Sequence, residues 1–157
     1  DSQLNIGGWI KGLAGAITMP SQPAFLAQPA SGQNNIAVGS AVTVVWGTTV
    51  FDQGNNFSSN TFTAPVDGKY QFNVSIRFED IDSASDYYHI QVVTNNRSYQ
   101  NIFDPDFGQD GAYWTLTLAC LADMAASHAA TVTVVQGSGN AQTDITTGSW
   151  ISGYLVA

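Results

Sequence analysis

The sequence predicts an all-β protein that folds as an antiparallel sandwich or barrel. Two observations predict this fold class. Short segments with strand-like patterns recur along the 157 residues, and turn-forming stretches such as residues 52–56 and 137–140 separate them. No segment shows a sustained apolar period of 3.6 residues, and residues 121–130 are the best candidate for a helix. Many short strands without intervening helices favour a single antiparallel domain over alternating strand and helix units.

Residues 1–23 are predicted to be an irregular lead-in segment. They begin a stretch, residues 1–35, that is rich in Gly, Ala, Pro, Gln and Asn, and in which Pro20, Pro23 and Pro29 exclude a continuous helix. Apolar residues such as Trp9, Ile10 and Ile17 are nevertheless too many for a free tail. We therefore expect part of this segment to pack on the body of the domain, residues 24–157, or on a neighbouring subunit.

The strand candidates within the body follow one another at short spacing. The clearest runs from Tyr70 to Phe78, where aromatic and aliphatic residues alternate with polar ones, the two-residue period of a strand with one buried face. Before it, Pro65 and the pair Asp67-Gly68 indicate a tight reversal, so residues 61–63 and this strand are predicted to form a β-hairpin. In chain order, the candidates are residues 24–26, 41–46, 70–78, 87–94, 114–121, 131–136 and 150–156.

The last candidate strand is apolar on both of its faces. Both faces of such a strand must pack against other apolar residues, and the core of the sandwich covers one of them. The other cover is a loop, the lead-in segment or a neighbouring subunit, and an oligomer supplies it most simply. The residues on one face are Trp150, Tyr154 and Val156, and those on the other are Ile151, Leu155 and Ala157.

Composition excludes several classes of function. Only 10% of the residues are charged and the net charge is −8, so a nucleic-acid partner would find no basic patch. Cys120 is the single cysteine, cannot form an internal disulfide and is predicted to be a small core residue. No apolar run is as long as a membrane span, so the chain as given is expected to be soluble and not to insert into a membrane.

Three short motifs stand in this order along the chain. They are Ala-Phe-Leu at residues 24–26, Thr-Ala-Pro-Val-Asp-Gly-Lys-Tyr-Gln-Phe at residues 63–72 with Phe57 and Phe62 before it, and Ser-Trp-Ile-Ser-Gly-Tyr-Leu-Val at residues 149–156. With these motifs the sequence resembles the C1q globular-head family, a branch of the C1q and tumour necrosis factor jelly-roll superfamily. The resemblance covers residues 24 to 157, and the sequence departs from the family pattern at residues 121–131.

The resemblance implies a homotrimer of ten-stranded antiparallel jelly rolls that serves recognition rather than catalysis. It further implies that the predicted hairpin leads into a long inner strand, and that Trp150, Tyr154 and Val156 lie at the trimer interface. His89 and His128 have no Ser or Cys partner nearby in any nucleophile motif, which also favours a non-enzymatic protein.

Two acidic clusters stand out in a chain with so few charges, and aromatic residues lie near them. Acidic and aromatic side chains on loops suit a binding surface, where an aromatic ring stacks on a sugar and carboxylates accept hydrogen bonds from hydroxyl groups. Tyr99 and Phe107 are the aromatics that we expect to be exposed. The predicted ligand-binding residues are Asp82, Asp86, Tyr99, Asp104, Asp106, Phe107 and Asp110.

Asp104, Asp106 and Asp110 are also candidate ligands for calcium, a cation that binds carboxylate and carbonyl oxygens. Their spacing matches no strict calcium-loop motif. The alternative is that these residues are solvated acids that initiate turns through their side-chain oxygens.

Together, these features predict a recognition or attachment head on a virion or an extracellular fibre, which binds a host-surface glycan or protein and contacts other virion or fibre proteins. The uncharged polar exterior and the absence of cysteine pairs favour the type of head found on phage or bacterial surface fibres. Two alternatives stay open: a capsid-decoration (cement) protein of a virion, and a secreted C1q-like lectin or cytokine-like ligand.

Overall fold

The computed structural model describes the backbone of residues 5–6, 10–13 and 16–157, and side chains from residue 18 onward. The described residues form strands and turns and contain no helix. In chain order the strands are β1 (Asn5–Ile6), β2 (Ile10–Leu13), β3 (Ala16–Thr18), β4 (Ala24–Gln28), β5 (Val42–Thr43), β6 (Thr48–Gln53), β7 (Phe57–Ser58), β8 (Thr61–Thr63), β9 (Gly68–Ile81), β10 (Tyr88–Thr94), β11 (Ser98–Phe103), β12 (Gly111–Met124), β13 (Ala129–Gln136), β14 (Asp144–Ile145) and β15 (Trp150–Leu155).

Twelve of these strands form two six-stranded antiparallel sheets, which confirms the predicted sandwich. The front sheet has the order β12-β9-β15-β4-β6, and β14 also pairs with β9. The back sheet has the order β11-β10-β13-β8-β7, and β5 also pairs with β13. Short strands such as β5, β7 and β14 bring the total above the ten that the family resemblance implied.

The core lies between the two sheets, and the alternation in β9 places its apolar side chains there. Tyr70, Phe72 and Phe78 are fully buried, whereas Lys69 and Arg77 on the same strand are exposed. Aromatic rings from both sheets fill the middle of the sandwich. Since each such ring removes a large apolar area from water, this cluster is a main source of the fold's stability.

The predicted β-hairpin between residues 61–63 and 70–78 is wrong. Strand β8 pairs with β7 and β13 in the back sheet, whereas β9 pairs with β12 and β15 in the front sheet. The segment around Pro65 therefore carries the chain from one sheet to the other. Phe62 meets Tyr70 and Phe72 across the core, with ring centroids 5.3 and 5.6 Å apart. The turn residues in the sequence correctly indicated that the chain reverses here, but they do not determine which strands β9 pairs with.

The helix candidate at residues 121–130 does not form, in agreement with the predicted all-β fold class. Strand β12 continues to Met124, a turn follows, and β13 starts at Ala129. Cys120, Ala122 and Met124 face the core while Leu121 points outward, which is the two-residue period of a strand. The five alanines of this stretch have high helix propensity, but burial of alternate side chains overrides that propensity.

Part of the lead-in segment has regular structure. Strands β1, β2 and β3 form a three-stranded antiparallel sheet within residues predicted to be irregular. Packing of this segment on the body or on a neighbouring subunit stays a prediction, and Trp9 lies outside the described residues.

The strands run between two ends of the sandwich, which we call the basal end and the apical end. At the basal end, the backbone N–H of Leu155 donates to the carbonyl of Pro23, so the chain enters and leaves the sandwich side by side. The apical end holds the loops at residues 82–87, 104–110 and 137–143. The backbone N–H of Gly137 donates to the carbonyl of Tyr87 at this end, 2.8 Å away.

Candidate functional site

The apical end carries a group of partly exposed aromatic side chains, Phe103, Phe107 and Trp114, which we call the aromatic group. Phe103 is the last residue of β11 and Trp114 lies near the start of β12, and these are the edge strands of the two sheets. Their ring centroids are 5.0 Å apart. The Phe107 ring lies 6.1 Å from Phe103 and 5.1 Å from Trp114, so the loop between the strands closes the group.

The aromatic group stacks on the core through Tyr88. The buried ring of Tyr88 stacks on Phe103, with centroids 5.3 Å apart and planes 13° from parallel. Phe107 is 44% exposed and Trp114 is 40% exposed. The buried Tyr88 ring therefore fixes the position of the group, while the rings of Phe107 and Trp114 stay accessible to solvent.

A recess of about 330 Å³ lies beside these rings, and we call it the apical recess. Phe107, Tyr113 and Trp114 supply its aromatic surface, while Gln109 and Asp110 supply polar groups. Gly108 adopts a φ of +74°, in the left-handed region that favours glycine, and so allows the loop to turn at this point. The lining residues are Phe107, Gly108, Gln109, Asp110, Gly111, Tyr113 and Trp114.

Asp110 links the loop of the recess to the loop that follows β9. Its Oδ1 accepts hydrogen bonds from the backbone N–H of Ser83 at 2.9 Å and from the Ser83 hydroxyl at 2.7 Å. The second oxygen, Oδ2, has no hydrogen-bond partner among the described residues. One oxygen of Asp110 is therefore structural, and the other is free to meet a ligand.

Asp104 and Asp106 stay on the exposed surface of the same loop. Asp104 Oδ1 accepts a hydrogen bond from the backbone N–H of Asp106 at 3.1 Å, the turn-forming role that was the alternative to calcium binding. Within the described part of the chain, no three His, Cys, Asp or Glu side chains come together as a group that could hold a metal ion. Calcium binding by Asp104, Asp106 and Asp110 stays a prediction.

Asp82 is buried, with 3% of its surface exposed. Burial favours its neutral form, but hydrogen bonds from the backbone N–H groups of Ala141, Ala84 and Asn140 outweigh burial and hold the pKa of Asp82 below its ordinary value. This carboxylate fixes two apical loops to each other. Its geometry suits a structural role better than the predicted contact with a ligand.

Tyr99 was predicted to be an exposed loop residue, and this prediction is wrong. It lies on β11, is half-buried and packs against the core, and this burial raises the pKa of its hydroxyl. Four residues of strand, about 13 Å, separate it from Phe103, so it belongs to the basal half of the sandwich. Phe107 is exposed as predicted, and Asp86 is exposed in the apical loop at residues 82–87.

Sequence reasoning assigned Trp114 and Tyr113, which lie near the acidic loops, to the core rather than to the binding residues. Trp114 starts the strand predicted at residues 114–121 and pairs with Phe78, a core residue, and Tyr113 directly precedes it. Trp114 is nevertheless 40% exposed on an edge strand of its sheet, and a residue pattern does not mark which strand lies at an edge. The sequence pattern that indicated a binding site at this loop was the pair of acidic residues on either side of it, Asp104 and Asp110.

A second surface with exposed apolar side chains is the outer face of the front sheet. On β15, Ile151 is buried in the core as predicted, while Tyr154 on the opposite face is 46% exposed and Trp150 is half-buried. Leu121 of β12 and Phe51 of β6 are also exposed on this sheet, at 53% and 50%. Val156, just beyond β15, is exposed as well. Exposed apolar side chains on several strands of one sheet face are typical of a surface that contacts another molecule.

The potential nucleophiles and bases have structural surroundings. Burial raises the pKa of the Cys120 thiol to about 11, which keeps it protonated at neutral pH. His128 Nδ1 accepts a hydrogen bond from the backbone N–H of Ala125 at 3.3 Å. Burial lowers the pKa of His89 on β10, and its Nε2 has no partner in the described part of the chain. No helix among the described residues is long and apolar enough to cross a membrane.

No protein-family model and no curated protein sequence matches the chain. Solved structures do match it. The globular domain of zebrafish complement 1qA protein aligns at a TM-score of 0.62 with 14% identity, covering 87% of this chain and 98% of that one. Murine APRIL at pH 8.5 aligns at a TM-score of 0.61 with 14% identity, covering 86% of this chain and 99% of that one. The chain therefore has the C1q and tumour necrosis factor jelly-roll fold that its sequence motifs resemble.

Proposed function

We propose that this chain is a non-enzymatic, homotrimeric recognition head on a virion or an extracellular fibre, and that its apical end binds a host-surface glycan or protein. The observation that carries the proposal is the division of the exposed aromatic residues between two surfaces. One is the broad outer face of the front sheet, and the other is the compact aromatic group at the apical end.

The outer face of the front sheet suits contact between identical subunits. Leu121, Tyr154 and Phe51 lie on three different strands of one sheet, so the apolar surface extends across the strands rather than along a single edge. A threefold arrangement buries such a surface three times in a closed ring. The predicted interface residues Trp150, Tyr154 and Val156 belong to this surface.

The apical end suits recognition. It lies at the opposite end of the strands from Pro23 and Leu155, where the chain enters and leaves, so a trimer displays three aromatic groups away from its point of attachment. Rings held on a rigid sandwich bind a partner without first losing conformational freedom. Three weak sites that engage one surface together raise the apparent affinity by roughly 10²–10⁴.

Two measurements on the intact protein test this proposal. Light scattering is expected to give three times the chain mass of 16.7 kDa. Adsorption to host cells, or binding to a glycan array, is expected to fall when Asp104 and Phe107 are both replaced by Ala, while the trimer mass stays unchanged. If the protein is trimeric but the double variant adsorbs normally, the capsid-decoration role replaces the recognition role; a monomer contradicts the assembly itself.

A further inference from the structure

The acidic residues of this chain are concentrated at the apical end. Of its twelve acidic residues, eight lie in the apical loops or at the apical ends of β9 and β14. Arg77 is the one basic residue among the described side chains that lies near them, whereas Lys69 and Arg97 lie at the basal end. The eight are Glu79, Asp80, Asp82, Asp86, Asp104, Asp106, Asp110 and Asp144.

The apical recess therefore combines exposed aromatic rings with a strongly negative surround. Aromatic faces attract cations, and the attraction is strongest for the indole ring of a tryptophan such as Trp114. The rim of the recess already contains one such pair, because the Arg77 guanidinium carbon lies 4.6 Å from the ring centroid of Tyr113. No such pair involves Phe107 or Trp114 among the described residues.

We propose that the apical recess binds a cationic side chain, arginine above all, of a basic polypeptide segment on the partner. This inference rests on the proposed recognition function and names the chemistry of its ligand. A planar guanidinium stacks on an aromatic ring and at the same time donates hydrogen bonds to a carboxylate at its edge. Phe107 and Trp114 offer the rings, and Asp110 offers its unoccupied Oδ2.

The charge distribution selects this ligand over the sugars that aromatic rings also bind. An acidic glycan meets repulsion from the apical carboxylates, and a neutral sugar gains nothing from their field. A basic segment is favoured by two effects. The negative field of the carboxylates steers its approach over a Debye length of about 8 Å, and the recess then binds one of its side chains. The adjoining recess of about 290 Å³, which is lined in part by Asp80 and Asp110, extends the acidic surface past the aromatic one.

The test compares two peptides on the trimeric protein. One is a nine-residue peptide of alternating arginine and glycine, and the other has citrulline in place of arginine, which keeps the shape of the side chain and removes its charge. Isothermal calorimetry at low salt is expected to show binding of the arginine peptide and at least tenfold weaker binding of the citrulline peptide. Equal binding of the two peptides would overturn the proposal.

Matched variants separate a local site from general attraction to an acidic protein. Asp110→Asn and Asp67→Asn each remove one exposed charge and keep the Oδ1 that accepts a backbone N–H, from Ser83 and from Ala126 respectively. Asp67 lies at the basal end. We expect the Asp110 variant to weaken arginine-peptide binding about 3- to 10-fold and the Asp67 variant by less than twofold.

A second pair of variants tests the rings. Phe107→Ala is expected to weaken binding about 3- to 10-fold, whereas Ile102→Ala, an exposed apolar residue on the nearby strand β11, is expected to leave it unchanged. Equal losses for both members of either pair mean that the peptide binds the acidic surface in general, and the proposal fails. If the arginine peptide does not bind but a neutral glycan does and requires Phe107, the cationic ligand is wrong while the recognition function stands.

Discussion

The Oδ2 of Asp82 accepts a hydrogen bond from the backbone N–H of Ala141 at 2.7 Å, across 59 residues of sequence. The other oxygen of the same carboxylate accepts from the N–H of Ala84 at 2.8 Å. One buried side chain therefore fixes the loop after β9 to the loop after β13, and so sets the position of the apical loops relative to each other.

Replacing Asp82 by Ala is expected to lower the free energy of unfolding by roughly 2–4 kcal/mol, because three backbone N–H groups lose a charged acceptor. Urea denaturation at fixed protein concentration measures this loss. The matched control is Asp106→Ala, which removes an exposed carboxylate and is expected to change stability by less than about 0.5 kcal/mol. A similar loss in both variants would mean that Asp82 is not structural.

The stability that Asp82 contributes depends on pH. Because its pKa is lower in the folded chain than the ordinary 3.8, the contribution is complete above pH 3.8 and is lost as pH falls through the folded value. The melting temperature of the native protein is therefore expected to fall more steeply below pH 3.8 than that of Asp82→Asn. Parallel curves for the two proteins would contradict the lowered pKa.

His89 is expected to give a second pH dependence at a higher pH. Its strand partners Val135 and Ile102 are aliphatic, and burial lowers its pKa below 6.5. The unfolded chain therefore binds a proton first, and stability falls as pH drops below 6.5 until the folded value is reached. In His89→Phe, the slope of unfolding free energy against pH is expected to flatten just below pH 6.5. A slope that persists there assigns the dependence to another group.

Phe72 and Gln71 test the faces of β9. Phe72→Ala is expected to cost about 3–5 kcal/mol, because it leaves a cavity in the centre of the aromatic core. Gln71 lies on the outer face of the same strand, so Gln71→Ala is expected to be milder unless its side chain lines the proposed trimer contact. Denaturation of both variants at one protein concentration makes the comparison, since the stability of an oligomer depends on concentration. Equal losses would contradict the division of the strand into two faces.

Tyr154→Arg tests the proposed trimer. An arginine on the outer face of the front sheet places an unpaired charge in each subunit contact, which costs roughly 3–5 kcal/mol per buried charge. Light scattering is expected to change from three chain masses to one, with an unchanged circular dichroism spectrum. Ile102→Arg, on the outer face of the back sheet, is the control and is expected to stay trimeric. A trimer in both variants would remove the front sheet from the interface.

Much of the fold is predictable from residue patterns because burial of one face imposes a two-residue period, as in β9. Strand pairing is less predictable, because residues such as Phe62 and Tyr70 meet across the core from different sheets and nothing in their spacing distinguishes that from a hairpin. Ala-rich residues 121–130 show the same limit, since local propensity there disagrees with tertiary burial.

The candidate site was only partly predictable for a related reason. Acidic and aromatic residues in one loop indicated Phe107 and Asp110 correctly as neighbours. Trp114 joins them because β12 is an edge strand that leaves its ring partly exposed, and Tyr99 lies apart from them because about 13 Å of β11 separates it from Phe103. Both facts depend on strand order and length, which the sequence pattern leaves open.

The side-by-side entry and exit of the chain at the basal end has a mechanical consequence. Tension applied between the apical end and the segment before Pro23 runs along β4 and its neighbours. Ladder hydrogen bonds lie perpendicular to antiparallel strands, so this tension loads the bonds of β4 with β15 and β6 together, in shear, rather than opening them one at a time. A domain pulled in this direction resists unfolding with all the hydrogen bonds that β4 makes to its two neighbours.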